Sequence, residues 1–325
     1  MRIFIVVFCC FLTFACYAQD KNYRPIIGIV AETITNHTII SKYGSSYVAA
    51  SYVKFAECAG ARVVLVKNNE KQDYYVKLFN SLNGLILPGG DVNNLLQSPY
   101  GKTAKIFFDL SIEGMDKTGD YFPILGICLG FQLLTQLPIK KDIMRHGSDS
   151  ENLAIPLKFT PDMDNGNLFN VHTTPYSVLE ALTEHNTTFN NHVHSVSQKV
   201  CIDFPQNFTK VGLEKFYRVL SVNNDRQGIE FLSTIEAYDY PIYGTQWHPE
   251  KNLFEWNTSK DYNIPHSFRA TAVAQYVADF LVNEARKSTH RFSSEEEASK
   301  YLVYNYQPVY TGDISSFEQI YFLDP

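Results

Sequence analysis

Short continuous apolar runs alternate with segments of helical spacing through the first half of the chain. Pro25 to Val30 (PIIGIV) reads as a buried strand. Val48, Tyr52, Phe55 and Ala59 then recur at intervals of four, three and four, one face of a helix that stops at Gly60. Val63 to Val66 predicts a second strand, Tyr75 to Leu82 a second helix, and Gly84 to Leu87 a third strand closed by Pro88-Gly89-Gly90-Asp91. A long helical pattern covers about Thr103 to Met115, and the strand Phe122 to Ile127 follows it. Strands that are apolar throughout, each followed by a helix, predict a mainly parallel sheet covered on both faces. The expected fold is therefore α/β and doubly wound.

Beyond about Lys140 the strands shorten and the connections become more polar. Val219 to Val222, Ile229 to Ile235 and Pro241 to Gln246 read as strands. Val273, Val277, Phe280, Leu281 and Glu284 mark a helix that opens near Ser267. The tail from Ser293 to Pro325 is polar and then tyrosine-rich, which suits a strap over the body. No internal repeat or low-complexity linker divides the chain, so residues 19–325 are expected to form one domain with a C-terminal extension from about residue 290.

The first eighteen residues follow a different rule. Met1-Arg2, the apolar run Ile3 to Phe14 and the small-residue stretch Ala15-Cys16-Tyr17-Ala18 have the layout of a secretory signal, with the mature chain starting near Gln19. The run is shorter than the roughly twenty residues a bilayer requires. Four sequons agree with a secretory route: Asn36, Asn186, Asn207 and Asn257. Removing the signal leaves Cys58, Cys128 and Cys201, an odd number that implies a free thiol or an intermolecular bridge. Net charge over all 325 residues is −6, which recommends neither nucleic acid nor a membrane surface as a partner.

Cys128 is the thiol with chemistry around it. It sits between Gly126 and Gly130, where a predicted parallel strand passes into a helix. Such a turn projects its side chain into the cleft beyond the strand ends, and free N–H groups at a helix start favour a thiolate there. The competing reading is a buried structural cysteine; the paired glycines and the strand–helix seam favour the reactive one. A nucleophile needs a base, and Trp247-His248-Pro249-Glu250 offers one. A residue before proline is biased to extended backbone, and in an extended chain positions i and i+2 share a side. His248 and Glu250 are thus expected to be neighbours, with the carboxylate orienting the imidazole. Gly89 and Gly90 end another parallel strand, so their N–H groups, with that of Leu129, are candidate oxyanion donors.

Leu87-Pro88-Gly89-Gly90, Gly126-Ile127-Cys128-Leu129-Gly130 and Gln246-Trp247-His248-Pro249-Glu250 resemble the three signatures of class I glutamine amidotransferase domains. The stretches YVAASYVKFAECAGARVV, AKIFFDLSIEGMDKTGDYFPILGICLGF, YPIYGTQWHPEKNLFEW and YTGDISSFEQIYF resemble γ-glutamyl hydrolases more closely, over nearly the whole mature chain. The resemblance implies cleavage of γ-glutamyl bonds in poly-γ-glutamyl folates, with Cys128 as nucleophile, His248 as general acid/base and Glu250 orienting it. It further implies a second cleft histidine, His192 or alternatively His194, homodimerisation and a lysosomal, vacuolar or extracellular location. The pair His192 and His194 has no matching carboxylate or cysteine ligand cluster in the sequence, so no metal is expected, and no cofactor. One position departs from the pattern: Gln132 stands where γ-glutamyl hydrolases often carry Glu, which bears on fine specificity. The alternatives are a glutaminase unit that releases ammonia from glutamine, for which the chain carries no accompanying P-loop, and a non-catalytic binder of folate or glutamate.

Overall fold

Eight strands form the central sheet of the computed structural model, which describes residues 22–34, 39–197, 208–256 and 262–324. In chain order they are β1 Ile26–Val30, β2 Arg62–Val66, β3 Gly84–Leu87, β4 Ile124–Ile127, β5 Lys158–Phe159, β6 Tyr217–Asn224, β7 Glu230–Ala237 and β8 Ile242–Thr245. Their spatial order is β2-β1-β3-β4-β8-β7-β6-β5. The run from β2 to β8 is parallel throughout. Strands β7, β6 and β5 extend it antiparallel. The sheet is therefore mixed but mainly parallel, as the continuous apolar strands required.

Helices cover both faces. Alternation along β1 sends Ile26 and Val30 to one side, against α2 (Gln72–Phe79), α3 (Pro99–Thr118) and α4 (Leu129–Gln136). Ile27 and Ile29 go to the other, against α1 (Ala50–Cys58), α5 (Tyr176–Glu184) and α7 (Phe268–Ala285). Phe79, Phe107 and Leu134 fill the first layer; Phe55, Leu182 and Val277 fill the second. Ser98 caps α3, its Oγ accepting from the Gly101 N–H at 2.9 Å, and Ser267 caps α7 in the same way from Ala270. The α3 pattern thus begins earlier than periodicity alone suggests, because the cap and not the first apolar residue sets the start.

One element differs in kind. Val48 lies in a strand, Ser46–Ala49, and α1 opens only at Ala50. Its partner is the tail: Val48 pairs with Tyr321 in the strand Gln319–Leu323. That pairing joins residues more than 270 positions apart, so no local pattern could announce it. It also fixes the C-terminal extension on the body.

Asn186 is exposed, and Cys58 is a free, exposed thiol. The expected signal peptide with its boundary at Gln19, the sequons Asn36, Asn207 and Asn257, and Cys201 as a partner for Cys58 lie outside the described residues.

Backbone packs closely on backbone at the start of α4. A Cβ on Gly130 would stand 2.1 Å from the Leu87 carbonyl oxygen of β3, and one on Gly126 would stand 2.6 Å from the Gly130 backbone. Backbone cannot yield as a flexible side chain can. Gly130→Ala is expected to cost about 1–3 kcal/mol of stability, read as a lowered urea midpoint; an unchanged midpoint would show that α4 has room to move.

Candidate active site

Four neighbouring parallel strands end at one edge, and each carries a part of the site just past its last residue. β1 leads to Glu32, β3 to Gly89 and Gly90, β4 to Cys128, and β8 to His248 and Glu250. Register aligns two of them: Ile127 of β4 is paired with Thr245 of β8. Residues far apart in sequence therefore meet because parallel pairing places all these carboxyl ends together.

Cys128 has φ 51° and ψ −100°, a conformation that residues with a Cβ seldom adopt. Such backbone costs on the order of 1–3 kcal/mol. The turn is held from both sides. The Cys128 N–H donates to Thr245 O at 2.8 Å, and its carbonyl accepts from the Gln132 N–H at 2.9 Å. The side chain is 5% exposed, at the floor of a cleft.

His248 is fixed by its own backbone, whose N–H donates to Phe189 O at 2.8 Å. Its Nδ1 lies 2.7 Å from Oε1 of the fully buried Glu250. A carboxylate only accepts, so Nδ1 donates and Nε2 is left for the sulfur. Burial opposes charge on the ring. Attraction to Glu250 and to Cys128, with hydrogen bonds to both, outweighs it and pushes His248 up to about 10. The Glu250 contact does not arise from strand alternation. Glu250 has helical backbone (φ −65°, ψ −30°) at the head of the short helix α6, Lys251–Phe254, so a turn through Pro249 brings it beneath the imidazole.

The loop after β3 crosses in front of this pair. The Gly89 N–H already donates to Tyr52 Oη at 2.8 Å, so it is engaged within the fold. A Cβ on Gly89 would come within 2.7 Å of His248 Cε1, so its role is to let the loop approach. Gly90 rests on Glu32, whose Oε2 would lie 1.5 Å from a Cβ there. Leu129 follows Cys128 as the first residue of α4.

His192 is 5% exposed on the cleft wall, with its Nε2 3.3 Å from Asn190 Oδ1 and its ring edge-on to Phe231. Burial, reinforced by the charge on nearby His248, lowers it to about 3, so it is neutral. His194 lies nearer the mouth, its Nδ1 3.1 Å from His146 Nδ1. Gln132 donates from Nε2 to His194 O at 3.1 Å.

Several groups gave no chemical signal in the sequence. Tyr52 reads there as one apolar position of a helix, yet its hydroxyl holds the Gly89 loop. Lys251, 2% exposed, enters a second cavity of about 250 Å³ that also contains Cys128, His248 and Gly90. Its Nζ stands 5.6 Å from the Phe189 ring and 5.3 Å from that of Phe317. Phe317 comes from the tail, so the strap completes the site. A larger cavity of about 590 Å³ lies near the opposite end of β1 and is lined by neither Cys128, His248 nor Lys251.

A family model described as Peptidase C26 matches residues 25–250. Gamma-glutamyl hydrolase of Homo sapiens is 44% identical over 94% of this chain and 91% of its own length. Gamma-glutamyl hydrolase B of Dictyostelium discoideum is 39% identical over 92% and 83%. Gamma-glutamyl hydrolase 1 of Arabidopsis thaliana is 36% identical over 91% and 82%.

Glu32 generates a stability prediction. Burial raises its carboxyl from 4.5 to about 8, despite hydrogen bonds from the Tyr47 hydroxyl and the Asp91 N–H. Below about pH 4.5 the group is protonated both folded and unfolded, so it adds no pH dependence. Between 4.5 and 8 only the unfolded chain ionises, and stability falls as pH rises. Glu32→Gln should therefore gain on the wild type between pH 5 and pH 8 in urea midpoints. Parallel pH curves for the two proteins would contradict the buried neutral acid.

Proposed function

The chain belongs to the peptidase C26 family, and from this premise we propose that Cys128, His248 and Glu250 cleave poly-γ-glutamyl folates through a thioester. The activity is cysteine-type γ-glutamyl hydrolysis. The observation that carries the residue assignment is the continuous contact from Glu250 through His248 to Cys128 at the open edge of the sheet.

The chemistry follows from that line. The Cys128 sulfur adds to the γ-carbonyl, forming C–S and placing negative charge on the carbonyl oxygen. The N–H groups of Gly90 and Leu129 receive that oxyanion; one such donor is typically worth about 10²–10³ in rate. The tetrahedral intermediate collapses with loss of the C–N bond, and the proton of the His248 imidazolium goes to the departing amine. The now neutral imidazole takes a proton from water, whose oxygen attacks the thioester. Breaking C–S restores the starting pair and releases the carboxylic acid, which gives its proton to solvent. Glu250 keeps the imidazole in one tautomer and balances its charge throughout.

An anionic chain needs a cation, and Lys251 supports that role. It is held in the cavity beside Cys128, between two aromatic rings, where it suits an α-carboxylate of the substrate. His192, neutral and buried, serves as a wall and hydrogen-bonding group. The leader and sequons support action along the secretory route, in a lysosome or vacuole or outside the cell. Among the described residues no helix is long and apolar enough to cross a membrane.

Incubation with a pteroyl-poly-γ-glutamate should yield shortened chains by mass spectrometry, and Cys128→Ala should reduce turnover by about 10³-fold or more. Retained cleavage by that variant would remove Cys128 from the mechanism. Ammonia release from free glutamine that outpaces peptide cleavage would favour a glutaminase instead. Lys251→Met should raise KM by about tenfold with a smaller change in kcat; the reverse split would place the lysine in the chemical step.

A further inference from the structure

Two histidines meet at the mouth of the cleft that leads down to Cys128. Arg145–His146 and His194–Ser195 form a two-residue antiparallel ladder in which His146 and His194 are directly opposed. Their rings are edge-to-face, centroids 4.6 Å apart, and their Nδ1 atoms are 3.1 Å apart. Both side chains line a cleft of about 370 Å³ that also contains Cys128 and Leu129. The ladder is anchored to the catalytic helix, because Gln132 of α4 donates to the His194 carbonyl. Only a donor can do this, so a carboxylate at position 132 could not make the same tie.

We propose that His146 and His194 form a proton-gated grip for an α-carboxylate of the γ-glutamyl chain. The inference rests on the hydrolase reading and adds a second anchoring point, separate from Lys251. Proton counting supplies the gate. When both rings are neutral, one Nδ1–H donates to the other Nδ1, which leaves one Nε2–H donor and one Nε2 acceptor outside the pair. One further proton goes to the bare Nε2 of the ring whose Nδ1–H donates. Both outer nitrogens then donate, and the pair holds one positive charge around a shared Nδ1 hydrogen bond.

The surroundings make that proton matter. Asp91, Asp142 and Glu151 line the same cleft, and Asp142 accepts from Gln136 and from the Met144 N–H. His192 below is neutral. Arg145, adjacent to His146, is committed to the buried Asp225. Without the extra proton this side of the cleft is lined by carboxylates and would repel an anionic chain. With it, the mouth presents a two-donor cation to a carboxylate.

The test compares a pteroyl-tri-γ-glutamate with its analogue in which every α-carboxylate is a carboxamide, from pH 5 to pH 8. The KM ratio of acid to amide cancels the pH dependence of the shared chemical step. In the wild type the ratio should rise with pH, by up to about tenfold per unit once the pair has lost its proton. His194→Phe should flatten it. His194→Lys, which holds a charge throughout, should keep the ratio low across the range. A flat ratio in the wild type, or an undiminished slope in His194→Phe, overturns the grip while leaving hydrolysis intact. A wild-type protein that cleaves neither compound overturns the hydrolase reading, and this inference with it.

Discussion

The first turn of α4 packs so closely on the end of β3 that no side chain fits between them at Gly130, and the conformation of Cys128 follows from that contact. With the helix pressed onto the strands, the chain leaving β4 has one residue in which to reverse, and that residue takes a positive φ. The strain is borne by backbone hydrogen bonds to Thr245 and Gln132 and by a core that buries α4 completely. A looser seam would let Cys128 relax into ordinary backbone, and its sulfur would leave the line to His248.

Around that fixed sulfur the remaining parts are positioned by several strands rather than by one loop. Parallel neighbours share a direction, so their ends deliver Glu32, the Gly89–Gly90 loop, Cys128 and His248 to one edge. Each is then secured from a different element: His248 by the Phe189 carbonyl, Gly89 by the Tyr52 hydroxyl from α1, and Gly90 by the Glu32 carboxyl beneath it. A site assembled this way is rigid without any single strong bond. Its electrostatics are layered too. Attraction to the buried Glu250 and to Cys128 raises His248, and the ring's charge in turn lowers His192.

The C-terminal strap gives the site its outer boundary. By pairing with residues 46–49 it brings Phe317 over Lys251, closing one side of that cavity, while the His146–His194 ladder lines the second cleft that reaches Cys128. The sulfur thus lies between Lys251 on one side and the His146–His194 pair on the other.

Much of this was legible in the residues alone. Continuous apolar strands spaced by helices required a mainly parallel sheet, and glycines flanking a cysteine at a strand–helix seam required a sharp turn at the sheet's open edge. The pairing of His248 with Glu250 was also legible, although the geometry that achieves it is a turn into helix and not extended chain. Local pattern could not reach Tyr52, Glu32, Lys251 or the histidine ladder. Each looks ordinary in its own segment: an apolar helix position, a residue after a strand, a lysine beside a motif, two histidines 48 apart. Their chemistry depends on burial and on partners from other elements. Such contacts are set by how strands pair and helices pack, and these are the quantities that periodicity, which reports only one element's own faces, does not contain.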